Sequence, residues 1–334
     1  MKTPVPHAGP KAPTLKDIAA RVGCSVNTAS LALRDSPRIS RLMRRRIAQA
    51  ARRLQYIPNS AARNLARKRS GLIGIYTRAL YDAVRTELIN SLMSELHTAE
   101  YRPVLGLGAG HQGPWHTAPW VSTFMELKVE ALVVVIEGVS RLPRWPHTVP
   151  MVLVGCQPNP GLPCDYVALD RREGARLGLD HLLARGHRNI LVGCSPRAGF
   201  GRECFDVLRT HGLKPCQVPT APPSANPGIE ELVHHVLASR DRPTAAIFGD
   251  SPLAVRFIHR ITAAGFRVPG DLAVVGYDYF PWADMLKVPL TAIEQPIREM
   301  AGEAIRLVRS RLRSPGQPFQ HIVLPHKLVV RQSA

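Results

Sequence analysis

The sequence predicts an α/β protein in two parts: a helix-turn-helix three-helix domain with a hinge helix, then a two-subdomain, doubly wound α/β domain. Three observations predict it. Positive charge is concentrated at the front of the chain, and apolar residues at helical spacing run through that same basic stretch. Behind it, apolar strand-length runs alternate with helical patterns almost to the last residue.

Of the 44 lysines and arginines, 16 fall in the first seventy residues, together with only two of the 25 acids, Asp17 and Asp35. About +14 of the formal +19 is therefore carried by one fifth of the chain. Such asymmetry is the electrostatic footprint of a polyanion-binding module. A disordered basic arm would show the charge without the core spacing.

Residues 1–13 are Pro-rich and predict a frayed arm. Thr14 and Asp17 form a T-x-x-D start signal for a first helix, in which Leu15, Ile18, Ala19 and Val22 make one buried stripe. Gly23 suits a left-handed helix end, and Ser25 caps a second helix running to about Leu33. Two short helices around a glycine-bearing turn describe a helix-turn-helix. Ser40 starts a third helix, expected to turn Leu42, Ile47, Ala50, Ala51 and Leu54 inward, with Arg41, Arg44, Arg45, Arg46, Arg52 and Arg53 on its other faces.

The second helix is the one whose N-terminal residues would enter a major groove. Val26, Asn27 and Leu31 face outward by spacing, whereas Ala29, Ala32 and Leu33 can pack inward. Asn27 can pair with adenine, and Val26 or Leu31 can meet a thymine methyl group. Ser25, Thr28 and Ser30 are short hydroxyls suited to phosphates. A protein-binding three-helix bundle would have the same helices; the charge argues for DNA. Pro58 then stops the third helix, and Asn59 can cap a short one of small side chains. That element is too short to be stable alone and should fold only when docked.

The segments T-L-K-D-I-A-A-R-V-G-C-S-V-N-T-A-S-L-A-L, Y-I-P-N-S-A-A-R-N-L-A-R and G-L-I-G-I, in this order, resemble the LacI/GalR family of bacterial transcription regulators. The resemblance implies a homodimer on double-stranded DNA at a pseudo-palindromic operator, with the short element as a hinge helix paired with its twin. It extends the DNA-binding set to Thr14, Arg34, Tyr56, Asn59, Ala62, Arg63 and Leu65. Leu65 matches the leucine that wedges into a central minor-groove step, with hinge-to-hinge packing as its other possible role. Leu31 stands where relatives commonly carry arginine, and Arg34 where asparagine is frequent. The family's operator preferences therefore do not transfer to this chain.

From Leu72 onward, candidate strands are Leu72–Tyr76, Pro103–Leu107, Ala131–Ile136, Met151–Val154, Tyr166–Leu169, Ile190–Gly193, Ala245–Phe248 and Leu272–Val275. Candidate helices are Thr86–Ala99, Arg172–Arg185, Ile229–Ala238, Leu253–Ala264 and Ile297–Leu312. Continuously apolar strands argue for parallel sheets covered on both faces, and the length argues for two sheets with a cleft between them.

The motifs V-P-M-V-L-V-G, R-P-T-A-A-I-F-G-D, D-L-A-V-V-G-Y-D and P-L-T-A-I-E-Q-P resemble the family's effector domain, which is similar to periplasmic sugar-binding proteins. That implies a helix-turn-helix domain at 14–57, hinge and linker at 58–71, and an effector and dimerisation domain at 72–334. Its N-subdomain would take about 72–167 and 292–322, and its C-subdomain about 168–291 and 323–334. A small, carbohydrate-like effector would meet Tyr81, Arg202, Asp250 and Asp278, since carboxylates accept paired sugar hydroxyls. Asp250 and Asp278 suit helix capping equally well. Three departures stand out: Gly249 precedes Asp250 where relatives read Asn-Asp, Gly201 occupies a usual arginine position, and Tyr279 replaces a second acid.

Other classes find little support. No run reaches the roughly 18–20 apolar residues of a membrane span, and the N-terminus lacks a signal-like apolar core, which points to a cytoplasmic protein; the family resemblance implies a bacterial, nucleoid-associated one. The six cysteines are scattered without C-x-x-C, and H-E-x-x-H, G-x-S-x-G and Walker patterns are missing, so neither an enzyme nor a metal or other cofactor is expected. The run Gly106-x-Gly108-x-Gly110-His111 only loosely matches a dinucleotide motif, because Pro114 follows before any helix. A solute-binding protein of the periplasmic type is the alternative, and the basic head opposes it.

Overall fold

The computed structural model describes residues 13–56, 69–78, 80, 83–108, 119–136, 149–195, 199–216, 218, 228–278 and 282–334. The chain divides into two compact units, Met1–Ser70 and Gly71–Ala334.

The first unit is built from α1 (Leu15–Val22), α2 (Val26–Ala32) and α3 (Arg41–Arg53). Gly23 ends α1 at φ 76°, the left-handed conformation that lets its N–H bond back to the Ala19 carbonyl. Ile18, Ala19, Ala29, Ala32, Ile47, Ala50 and Ala51 make the core, with Leu15, Val22, Leu33, Met43, Leu54 and Tyr56 packed around it.

One expectation fails here. Leu42 is 72% exposed. Met43, Ile47, Ala50 and Leu54 share the inward stripe at i, i+4, i+7 and i+11, and Leu42 is turned about 100° away from it.

In the second unit, one sheet comprises β1 (Leu72–Thr77), β2 (Arg102–Leu107), β3 (Ala131–Val135), β4 (Met151–Cys156), β5 (Asp165–Leu169) and β10 (His321–Leu324). Their order is β10-β5-β4-β3-β1-β2, and every pairing is parallel. A second sheet has the order β11-β9-β8-β7-β6, from β6 (Ile190–Val192), β7 (Ala245–Ile247), β8 (Ala273–Tyr277), β9 (Thr291–Glu294) and β11 (Lys327–Val329). Only the β11–β9 pairing in it is antiparallel.

Among the described residues, the α-helices of this unit are α4 (Ala83–Thr98), α5 (Pro119–Glu126), α6 (Arg171–Ala184), α7 (Gly199–Thr210), α8 (Ile229–Ala238), α9 (Ser251–Ala263) and α10 (Ile297–Arg313). Alternation along β3 shows why the sheet is covered twice. Ala131, Val133 and Val135 join the core under α4 and α10, while Leu132 and Val134 join the core around Phe124 of α5. The second sheet repeats the pattern, with Ala245 and Ile247 on one face and Ala246 on the other.

The chain crosses between the sheets three times. From β5 it enters α6, which packs on β7, β9 and β11; from β9 it returns through α10, which packs on α4 and β4. From β10 it crosses again to β11. Strand β9, at 291–294, thus lies in the second sheet, where the expected boundary fell inside it at 292. Helices α5 and α7 and strands β9 to β11 were not legible beforehand. The Gly199-Phe200-Gly201 start conceals α7, and the strands are only three or four residues long.

Candidate DNA-reading surface and ligand cleft

On the head, Ser25 caps α2: its hydroxyl accepts from the Thr28 N–H at 3.0 Å and lies 2.9 Å from the Thr28 hydroxyl. The same contact fixes both hydroxyls at the start of the helix. Ala29 and Ala32 are buried, which turns Asn27 and Leu31, one helical turn apart, to the opposite face. Val26 is 42% exposed at the helix start, and Ser30 and Thr28 flank the row half-buried. Leu31 lies outside the apolar core, as the spacing predicted.

The two acids of the head are both engaged locally. The Asp17 carboxylate accepts from the Thr14 N–H and the Thr14 hydroxyl, each at 2.7 Å. Asp35 lies 3.7 Å from the Arg44 guanidinium, which also donates to the Asp35 carbonyl at 3.3 Å. Arg21, Arg34, Arg38, Arg41, Arg45, Arg46, Arg52 and Arg53 are exposed. Tyr56 packs half-buried on the three-helix core. Asn59, Ala62, Arg63 and Leu65 lie outside the described residues, as does Tyr81.

The remaining cleft candidates stand at helix starts and strand ends of the second sheet. Asp250 caps α9, accepting from the Leu253 N–H at 2.6 Å. Asp278 follows β8 at φ 83°, and its carboxylate accepts from the Gln295 amide. The buried Ser251 hydroxyl is 2.9 Å from both the Tyr277 and Asp278 carbonyls, tying the start of α9 to the end of β8. Arg202 lies on the exposed face of α7, 2.9 Å from Glu203, while Phe200, Gly201, Cys204 and Phe205 occupy the buried face.

Sequence reasoning missed the cluster where the chain crosses between sheets. The Tyr277 hydroxyl meets His326 Nε2 at 2.7 Å, and His326 Nδ1 lies 3.2 Å from Glu173 on α6. Burial lowers the His326 pKa, an effect partly offset by Glu173. None of these residues carries a recognisable spacing, because they come from three distant segments. Among the described residues, no group of three His, Cys, Asp or Glu is arranged to hold a metal ion. Among them, too, no helix is long and apolar enough to cross a membrane.

Two known families match this chain. Residues 14–59 match "Bacterial regulatory proteins, lacI family", and residues 179–334 match "Periplasmic binding protein-like domain". Together these cover well over half of the sequence, in the order the two units require. The chain belongs to the LacI family of bacterial regulators.

Relatives match over nearly the full length. The HTH-type transcriptional regulator DegA of Bacillus subtilis is 27% identical, covering 96% of this chain and 97% of that protein. The lactose operon repressor of Escherichia coli is 26% identical, covering 96% and 90%. Among solved structures, the Lac repressor dimer bound to operator and the anti-inducer ONPF superposes with a TM-score of 0.79 at 23% identity, covering 97% of this chain and 99% of that one. The transcriptional regulator CelR–cellobiose complex gives 0.63 at 22%, covering 96% and 100%. The protein is thus a DNA-binding transcriptional regulator of this family and not an enzyme.

Proposed function

We propose that this LacI-family regulator is a homodimeric repressor acting in the bacterial cytoplasm, whose paired heads bind a pseudo-palindromic operator and whose α/β unit takes a small carbohydrate-like effector. The observation that carries the reading is electrostatic. A folded three-helix unit shows eight exposed arginines, while Asp17 is held by Thr14 and Asp35 lies 3.7 Å from Arg44. Such a surface neutralises phosphates and releases counterions on binding.

In this reading residues 14–57 read DNA, 58–71 form the hinge, and 72–334 sense ligand and dimerise. Asp250 and Asp278 would face the effector at the strand ends where open α/β sheets bind ligands. A carboxylate can accept several hydrogen bonds at once, which suits paired sugar hydroxyls. A ligand that prefers one closure angle of the two sheets would shift hinge order, and with it operator affinity. Tyr81, Arg202, Asn59, Ala62, Arg63 and Leu65 keep the roles that the family resemblance implies.

The test is selection of sites from random duplex DNA, then titration of the selected site against salt and candidate sugars. Expected are a palindromic site, steep salt dependence and a ligand-linked change in affinity. Leu65→Ala should weaken the selected site and reduce its bending while sparing random DNA. Protein that stays monomeric and ignores every duplex at low salt would overturn the reading.

A further inference from the structure

We infer that the operator half-site is read through thymine 5-methyl groups and one adenine edge, without any arginine or lysine contact to guanine from the recognition helix. This rests on the reading of the head as a DNA-binding module and names the chemistry of the sequence it selects.

The helix that would enter the groove, Val-Asn-Thr-Ala-Ser-Leu-Ala from Val26 to Ala32, contains no charged residue in the most basic part of the chain. The commonest specific base contact, a bidentate arginine or lysine on guanine O6 and N7, therefore has no donor on this helix. Arg34 is exposed, but it stands beyond the Leu33 cap at the end of the helix remote from the N-terminal residues that enter a groove. It and the arginines of α3 supply charge to phosphates, which position the module without reading bases.

What the outward face does offer is apolar. Ala29 and Ala32 take the inward face; opposite them stand exposed Asn27 and half-buried Leu31, with exposed Val26 at the leading end. Neither Val26 nor Leu31 belongs to the apolar core of the head. Thr28, which could otherwise read a base edge, has its hydroxyl 2.9 Å from Ser25. The only apolar group in a major groove is the thymine methyl, so Val26 and Leu31 fit T·A pairs. Asn27 between them has the donor and acceptor pair that matches adenine N7 and N6.

A methyl-dependent reader has an unusual corollary. It should be sensitive to loss of a methyl group that leaves Watson–Crick pairing untouched, and it should accept 5-methylcytosine where it rejects cytosine.

The experiment uses the full chain and the duplex it selects from random DNA, remade with deoxyuridine for thymidine at each position in turn. At the read positions, binding should weaken about fourfold for each methyl group removed, compounding over the two half-sites. Replacing such a T·A pair with C·G should weaken binding further, and 5-methylcytosine there should restore about the same fourfold. Val26→Ala and Leu31→Ala change no core residue, and each should abolish the uridine effect at one position only. A selected palindrome bound equally well with uridine throughout would overturn this inference while leaving the regulator reading intact. So would a methyl effect that survives both substitutions. Absence of any selected sequence would instead sink the regulator reading itself.

Discussion

Arg311 of α10 forms a fully buried, two-pronged ion pair with Asp165 of β5, with Nε–Oδ2 and Nη2–Oδ1 distances of 2.9 Å. The remaining donors of the guanidinium reach the carbonyls of Pro315, Gln317 and Pro318, and the Gln320 N–H donates to Asp165. Its five N–H groups therefore meet five acceptors, and the turn between α10 and β10 is wrapped around one cation. The pair links residues far apart in sequence and holds the returning strand β10 in register with β5.

Removing one partner leaves the other charge buried without compensation. Arg311→Met or Asp165→Asn should each destabilise the α/β unit by about 3–5 kcal/mol in urea titrations. The double substitution should cost less than the two single costs combined.

Gly201 is required by packing. A Cβ there would stand 2.1 Å from the Ser195 carbonyl oxygen, where nothing but backbone can yield. The equivalent atom at Gly249 would stand 3.3 Å from Cys194 Sγ, a contact that a small shift relieves. Gly201→Ala should therefore lower stability by about 1–3 kcal/mol, and Gly249→Ala by clearly less, measured by thermal melts. The missing arginine at 201 follows from how closely α7 approaches the end of β6.

Three histidines predict an acid-side loss of stability. Burial lowers the pKa of His326, His181 and His187 from the ordinary 6.5. The unfolded chain then binds more protons than the folded one below that value. Stability should be full above about pH 6.5 and fall as pH drops toward the depressed folded values. Around His326 the facing groups are Glu173, Asp170, Arg171 and Tyr277, so its neutral ring accepts from the Tyr277 hydroxyl and donates to Glu173. Melting temperatures recorded from about pH 8 to about pH 5.5 should decline, and less steeply in His326→Gln.

Three of the cysteines should be inert in the folded protein. All six are free thiols, and burial pushes Cys156, Cys164 and Cys194 up to about 12. Thiolate is the reactive form, so these three should resist alkylation at neutral pH until denaturant is added. Half-buried Cys24 should label first. Rapid labelling of Cys194 in the native state would contradict the packing around Gly201 and Gly249.

Leu42 should tolerate Gln within about 0.5 kcal/mol, since its side chain covers no core. Met43→Gln, one position along, should cost substantially more in the same melting assay.

What the sequence determined by itself was whatever depends on neighbours a few residues apart. The stripe Leu15, Ile18, Ala19, Val22, the left-handed Gly23, the Ser25 and Ser40 caps and the wholly apolar Ala131–Val135 are local signals, and each formed the element it predicted. The outward row of Asn27 and Leu31 follows from the same periodicity. Tertiary structure decided what depends on residues far apart in the chain. It brought Arg311 to Asp165, joined Tyr277, His326 and Glu173 at the crossings, and placed β9 with the second sheet. The physical reason is that spacing encodes which face of an element is apolar, while the partner of that face is chosen by packing that no window of neighbouring residues contains.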